Sequence, residues 1–393
     1  MIYFIVFILL LIPVVKYDWM VKPGGEKGWY YFCLVVLILF AGLRYRVGGD
    51  TLIYMSMFYE WPKLDELKYF DFETATYNPL WYIFSALARS IYDDFTTLQI
   101  MHAIIVNCTF FWFFRKYCPK YYFSAILLYY IGYFCYFNME VMRESLCICV
   151  LLLSTSFLLE KKWLLYYPMC VIALFIHYSA AIMLVLPFLL LFKRPSWKWE
   201  VIILLGIVVL MRVVNVPMLV LSLFGLNRQL TWLIGGYIEE MRNVMGIISE
   251  LLHYFPIFIF IYLREKHQIT EKYDFSPLMM GTVVVYALSM NIGVFSRFIN
   301  YFVPFILVYS VNTIYRTLYW KFRDYQVSYL LCMAAFLVMG FNYYHYYGRD
   351  LSDVYPNARG YHIFHPYSSV FNPKIDEYHE RFIENYRDVA IEF

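Results

Sequence analysis

Charge is scarce in this sequence. Asp, Glu, Lys and Arg make up 16% of its 393 residues, while 62% are hydrophobic. Soluble globular domains carry about 25% charged residues, so the composition excludes an ordinary water-soluble enzyme of this length. The formal net charge is only +3, which argues against nucleic acid as a partner. Eight cysteines are present, seven of them inside apolar runs, and no two form a Cys-x-x-Cys pair. That spacing argues against a zinc or thiol-redox site and leaves the cysteines as small buried side chains. No Lys or Arg precedes the apolar stretch 2–15, as the start of a cleavable signal peptide would require. Lys16, Lys22 and Lys27 follow it instead, the pattern of a first membrane helix with its N-terminus outside. No repeat of fixed period and no low-complexity linker is visible.

What is abundant is apolar length and aromatic side chains. A membrane helix needs about 20 apolar residues, with 17 or so sufficing. Twelve stretches qualify or nearly do: 2–15, 28–43, 96–114, 121–137, 145–159, 163–176, 178–192, 200–216, 248–263, 277–292, 297–315 and 325–342. The expected fold is therefore all-α and polytopic, with about 12 transmembrane helices over residues 1–342 and an extracytoplasmic tail over 343–393. Aromatics are 22% of the chain, including 41 Tyr and 36 Phe. Such rings favour the membrane–water interface and also suit the faces of sugars.

Short basic loops mark the cytoplasmic side of a membrane protein. Placing the basic segments 16–27, 115–120, 161–162, 193–198, 264–272 and 316–323 inside gives a consistent topology. The loops 44–78, 138–144, 217–247 and 291–297, residue 177, and both termini then lie outside. This solution makes 79–91 an interfacial or re-entrant segment beginning at Pro79, and it needs a hairpin inside 163–192 with His177 at its outer tip. The tail is rich in Tyr, His, Asn and Pro, too aromatic for a disordered segment, and reads as an ordered external cap.

The chain is organised around Gly42-Leu-Arg-Tyr-Arg-Val-Gly-Gly-Asp50, which follows an apolar run with no intervening loop. A charge at bilayer depth costs about 2.5–3.5 kcal/mol by insertion scales, so Arg44 and Arg46 carry a cost here. Gly48 and Gly49 permit backbone angles closed to other residues, which lets the chain turn and aim Asp50 back. One reading is a basic anchor at the membrane edge, with arginines snorkelling outward; the other is an anion-binding patch. The topology, set from the inner charges alone, collects the remaining unusual polar residues on the same outer face. Asn138, Glu140, Arg143 and Glu144 stand at the mouth of a helix, with Glu140 and Arg143 three apart on one helical side. His177 sits in an apolar run, and Arg297 in another, one turn before Tyr301. Arginine forks match phosphate oxygens bidentately. Arg44, Arg46, Arg143 and Arg297 are therefore expected to converge on a phosphate or diphosphate headgroup, with aromatic loops holding a sugar. An acidic pair, Asp71 and Glu73, could in principle bind a metal, but two carboxylates alone make a poor oxygen-ligand site. Neither a metal nor a cofactor is expected.

The stretch from Gly42 to Asp50 with Tyr54, the Asn138 to Arg143 segment, Ile176-His-Tyr-Ser179 and Ser296-Arg-Phe-Ile-Asn-Tyr-Phe302 resemble the EpsG family, which is similar to Wzy-type polysaccharide polymerases. The match runs in order from about residue 40 to 315. Glu144 departs from it, standing where the family pattern has Gln. The resemblance implies a membrane glycosyltransferase of GT-C type in a bacterial cytoplasmic membrane. It would join oligosaccharide repeat units carried on undecaprenyl diphosphate, at the outer face, into an exopolysaccharide or O-antigen-like polymer. A flippase and a chain-length regulator of the same pathway are the implied protein partners. Under that reaction Arg44, Arg46, Arg143 and Arg297 would bind diphosphate, and Asn138, Tyr54 and Tyr301 other parts of the substrate. Asp50, His177 or Glu140 would act as base. A lipid-linked oligosaccharide flippase or exporter, or a glycan ligase using the same lipid, remains open as an alternative.

Overall fold

The computed structural model describes residues 1–191, 196–213, 244–289, 294–319 and 325–392. The described residues are mostly helical, with no strand among them. It divides into two units, residues 1–181 with 343–393, and residues 182–342. The expected loop 217–247 falls mostly outside the described residues.

In the first unit the helices are α1 (Ile2–Pro13), α2 (Glu26–Gly42), α3 (Gly49–Met57), α4 (Pro79–Ile91), α5 (Phe95–Tyr117), α6 (Tyr122–Gly132), α7 (Met142–Leu159) and α8 (Trp163–Leu174). Their ends pair in a way that fixes direction. At one end, Asp18 accepts hydrogen bonds from Ser124 N (2.6 Å) and Ser124 Oγ (2.8 Å), and Tyr122 donates to Glu26 (2.6 Å). The basic segments 16–27 and 115–120 thus share one end. At the other end, Tyr3 donates to Phe364 O, Gln99 Nε2 to Arg44 O, and Asn78 Nδ2 to Leu174 O. The start of α1, the end of α2, the start of α5 and the end of α8 therefore meet.

Local sequence accounts for several of these helices. Asp94 caps α5 by accepting from Thr96 N, and Arg115 and Lys116 occupy its last turn, where a helix favours cations. α4 opens with Pro79 at its first position, where the missing N–H costs nothing. It buries Trp81, Tyr82, Ser85, Ala86 and Ala88 while Ile91 stays exposed. At 13 residues it is too short to cross a bilayer.

The second unit contains α9 (Ile182–Leu189), α10 (Trp197–Val213), α11 (Val244–Lys266), α12 (Ser276–Ser289), α13 (Val294–Ile299), α14 (Val303–Tyr319) and the first turns of α15 (Tyr325–Gly348). Here α12 packs against α9, α10 and α13, and α11 against α14. The last residues of α15 return the chain to the first unit, which ends with α16 (Glu377–Glu392).

A helix stands at each of the twelve expected stretches. Among the described residues, three segments are long and apolar enough to cross a membrane by themselves: Ile2–Trp19, Phe95–Tyr117 and Met142–Leu159. Among the described residues the regular structure is all helical and three helices are candidate membrane spans, as in a membrane protein; the count of twelve spans and the GT-C arrangement are proposals.

The tail packs against the turn that follows α2. Tyr45 N donates to Ser368 O (3.0 Å), Gly48 N to Ile363 O (2.9 Å), and Val370 N to Leu43 O (3.0 Å). Gly48 is the tightest point: its φ is +100°, and a Cβ added there would lie 2.3 Å from Met139 O. We expect Gly48→Ala to cost at least about 2 kcal/mol, from left-handed strain plus the clash. Gly28→Ala, in open space inside α2, should be neutral or stabilise by about 0.4–1 kcal/mol. Thermal unfolding of the two purified variants checks both.

Candidate functional site

The site forms where the turn 42–50, the mouth of α7 and the tail come together. Helix α7 begins abruptly at Met142, and its first backbone N–H groups have no partner within the helix. Asp50 supplies one: its Oδ2 accepts from Met142 N at 2.8 Å. A carboxylate at a helix N-terminus also meets the positive end of the helix dipole. Beneath this turn, the fully buried His102 places Nε2 2.9 Å from both Met142 O and Ser145 Oγ.

Arg143 is the next residue. Its Nε donates to Tyr54 Oη at 2.8 Å, and its guanidinium lies 4.3 Å from the ring centroid of Tyr77 and 5.8 Å from that of Tyr54. Tyr54, Trp61, Tyr77, Trp81 and Tyr82 pack edge to face or tilted, with centroids 5.0–6.1 Å apart. This aromatic wall holds the arginine in place while leaving it half-buried. Asp50 and Arg143 attract each other, and Tyr54 hydrogen-bonds to both. Burial nonetheless dominates at Asp50 and pushes its carboxyl up to about 6.

Glu140 is a second acidic neighbour, close to Gly49 and near enough to act on Asp50. Its Oε1 accepts from Arg349 Nη2 at 3.1 Å and its Oε2 from Tyr346 Oη at 2.5 Å. Burial raises the Glu140 carboxyl, opposed by Arg349 and Tyr346. A Cβ on Gly49 would meet Glu140 Cγ at 3.3 Å and Tyr386 Oη at 2.9 Å, so any larger residue beside Asp50 would have to displace Tyr386 and press on Glu140.

The remaining expected residues divide. Arg44 does not face an open surface. It is fully buried, donating through Nε to Val47 O (3.1 Å), through Nη2 to Thr51 Oγ1 (2.7 Å) and through Nη1 to Ala41 O. The reading of Arg44 as a diphosphate ligand is corrected here: its donors staple the turn that carries Asp50. Asn138 is corrected in the same way. It is fully buried and bonded to Tyr129 Oη, Phe134 O and Asn107 Nδ2, so it braces the approach to α7. Arg46 remains partly open, 3.8 Å from Glu380 of α16.

His177 sits at the end of α8 with Nδ1 2.7 Å from Ser179 Oγ. Cys147, one turn along α7 from Arg143, donates to Ala173 O at 3.2 Å, which brings the His177 corner to the same end of the helices. Arg297 is exposed and Tyr301 fully buried; both belong to the second unit. Convergence of Arg297 with Arg143 is therefore a proposal. Asp71 is exposed and takes Glu73 N (2.9 Å) and Thr74 Oγ1 (2.8 Å), the bonding of a loop turn. Among the described residues, no three His, Cys, Asp or Glu side chains are grouped to hold a metal.

Three contributors escaped the sequence reading. Arg349 and Tyr346 come from a segment more than 200 residues beyond Glu140, and their charge and rings blended into a Tyr-rich tail. Tyr77 gave no signal beyond belonging to an aromatic loop.

Three helices apolar and long enough to span a bilayer, with the Asp50, Arg143 and Glu140 cluster at the start of one of them, are features of a helical membrane protein. The model of the EpsG family matches residues 28–358. The chain belongs to that family, the family of Wzy-like polysaccharide polymerases. No curated protein and no solved structure gives a significant match.

Asp50 carries a pH signature. Its carboxyl binds a proton more tightly when folded, at about 6, than at its ordinary 3.8. The stability it contributes is full below about pH 4 and is lost as pH rises through 6. Asp50→Asn, which keeps an acceptor for Met142 N, should equal or exceed the native chain in thermal midpoint at pH 7.5. It should also lose part of the native chain's gain between pH 7 and pH 5. A steeper pH dependence in Asp50→Asn would contradict this placement.

Proposed function

We propose that the protein extends a surface or exopolysaccharide by transferring a glycan from undecaprenyl diphosphate to the next lipid-linked repeat unit. The reaction would take place at the outer face of a bacterial cytoplasmic membrane. Family membership supports polysaccharide polymerisation. The observation that carries the mechanism is Asp50 beside Arg143, a half-buried carboxylate and a half-buried guanidinium joined through Tyr54.

In this reading the anomeric C–O bond of the donor breaks and the diphosphate leaves with the electron pair. Arg143, already held by Tyr54 and Tyr77, stabilises the charge that builds on it. A preorganised donor acts on that charge without reorganising at the moment of reaction. The acceptor hydroxyl oxygen attacks the anomeric carbon and its proton passes to Asp50. A base whose pKa lies near the working pH combines availability with driving force, which favours Asp50 at about 6 over a carboxylate at its usual value. Arg46 and Arg297 are proposed to place the lipid-linked substrates, and His177 to stand at the rim.

Purified protein supplied with a defined lipid-linked repeat unit provides the test. The native chain should build a ladder of longer lipid-linked glycans. Arg143→Ala should lose about 10²–10³-fold in rate, the usual cost of one charge-stabilising donor, while still inserting and folding. Equal ladders from both would remove the diphosphate role. In cells lacking the protein, single repeat units should accumulate on the outer face. Unattached full-length polymer would instead mark a ligase, and units trapped on the inner face a flippase.

A further inference from the structure

The tail does more than cover the site. Arg349 lies just past the end of α15, and the loop after it folds back tightly: Gly360 N donates to Arg349 O (2.8 Å) and Leu351 N to Ala358 O (3.0 Å). A Cβ on Gly360 would lie 2.8 Å from Arg349 Cγ and 2.9 Å from Tyr346 O, so this close approach requires glycine. Arg349 Nη1 also donates to Tyr346 O at 3.2 Å, and its guanidinium lies 4.2 Å from the Tyr346 ring centroid. The side chain is thus aimed, with Nη2 on Glu140 Oε1 at 3.1 Å and 28% of its surface exposed. Glu140 is gripped at both oxygens, by Arg349 and by Tyr346. It abuts Gly49, the residue immediately before Asp50.

We infer that Arg349 is a positioning residue for the polymerase site: it holds Glu140 as an immobile, neutralised neighbour, so that Asp50 is the carboxylate left to receive the acceptor's proton. This rests on the proposed transfer reaction and narrows it, because three residues could otherwise serve as the base. Two carboxylates this close repel each other's ionised forms. Glu140 does raise Asp50, while Arg143 lowers it. The other titratable groups facing Asp50 are Arg44 from the turn, Tyr54 from α3, Tyr77 from the 58–78 loop and Tyr386 from α16. Glu140 and Arg349 form a pair whose members can be removed separately, one taking a charge from beside Asp50 and the other leaving Glu140 without its counter-charge.

The test uses the full chain in lipid nanodiscs. Asp50 is titrated by infrared spectroscopy with ¹³C-labelled Asp, its band identified by subtraction of Asp50→Asn. Polymer formation is measured in parallel across pH. The native midpoint should fall near 6. Arg349→Met should move it upward by about one pH unit, and Glu140→Gln downward by a similar amount, the scale of one nearby charge. The double variant should return close to the native value, and Arg349→Lys should stay there. Loss of packing alone would not move the two single variants in opposite directions. Midpoints unchanged in both single variants, or shifted the same way, would overturn the inference. Should Arg349→Met fail to fold, Glu140→Gln and Arg349→Lys decide it: a Glu140→Gln midpoint at or above the native value overturns it. The infrared titration is independent of turnover. Opposite shifts there without any ladder would refute the polymerase reading and leave the Arg349 role standing.

Discussion

A carboxylate set against the start of a membrane helix is the contact on which the rest of this structure depends. Asp50 takes the Met142 N–H that α7 cannot satisfy itself, and that one bond ties the turn after α2 to the helix carrying Arg143. Everything nearby serves the juncture. Arg44 staples the turn from below, Gly48 and Gly49 let it pass under Met139 and Glu140, and His102 braces the first turn of α7 from behind. Buried polar groups left without partners cost about 1–3 kcal/mol each, and more when charged. Asp50, Arg44 and Glu140 each find partners within this cluster.

The same reasoning separates arginines that look alike in sequence. Arg44 and Arg143 both border apolar runs, and both were expected to bind anions. Arg44 turned inward because three acceptors, two carbonyls and a threonine hydroxyl, lie within seven residues of it. Arg143 has one hydrogen-bonded tyrosine and a ring face, which leaves its remaining donors to an incoming group. Backbone carbonyls write no signature in a sequence, so charge against apolar surroundings marked both residues without distinguishing them. Asn138 misled for the same reason: its partners are core groups that only the folded chain assembles.

Much of the architecture was legible. Reading the basic loops as lying on one side grouped residues 16–27 with 115–120, and the packing of Asp18 on Ser124 and of Tyr122 on Glu26 puts those segments at one end of the helices. The side assignment of the basic loops made 79–91 an interfacial or re-entrant segment beginning at Pro79, and α4 is a 13-residue helix. The aromatic content of the tail signalled order, and the structure threads it along the 42–50 turn. The specific gift of the tail was not legible, because the Arg349–Glu140 pair joins positions 209 residues apart and no local pattern encodes it. Tyr77 was hidden likewise, since its role follows from where Arg143 points.

The account therefore stands on where the diphosphate goes. The most direct measurement is a cryo-electron microscopy structure of the protein in nanodiscs with undecaprenyl diphosphate added. The diphosphate should rest within hydrogen-bond distance of the Arg143 guanidinium, with Asp50 facing the space beside it. Headgroup density at the opposite end of the helices, near residues 16–27 and 115–120, or any pose that leaves Arg143 untouched, would contradict it.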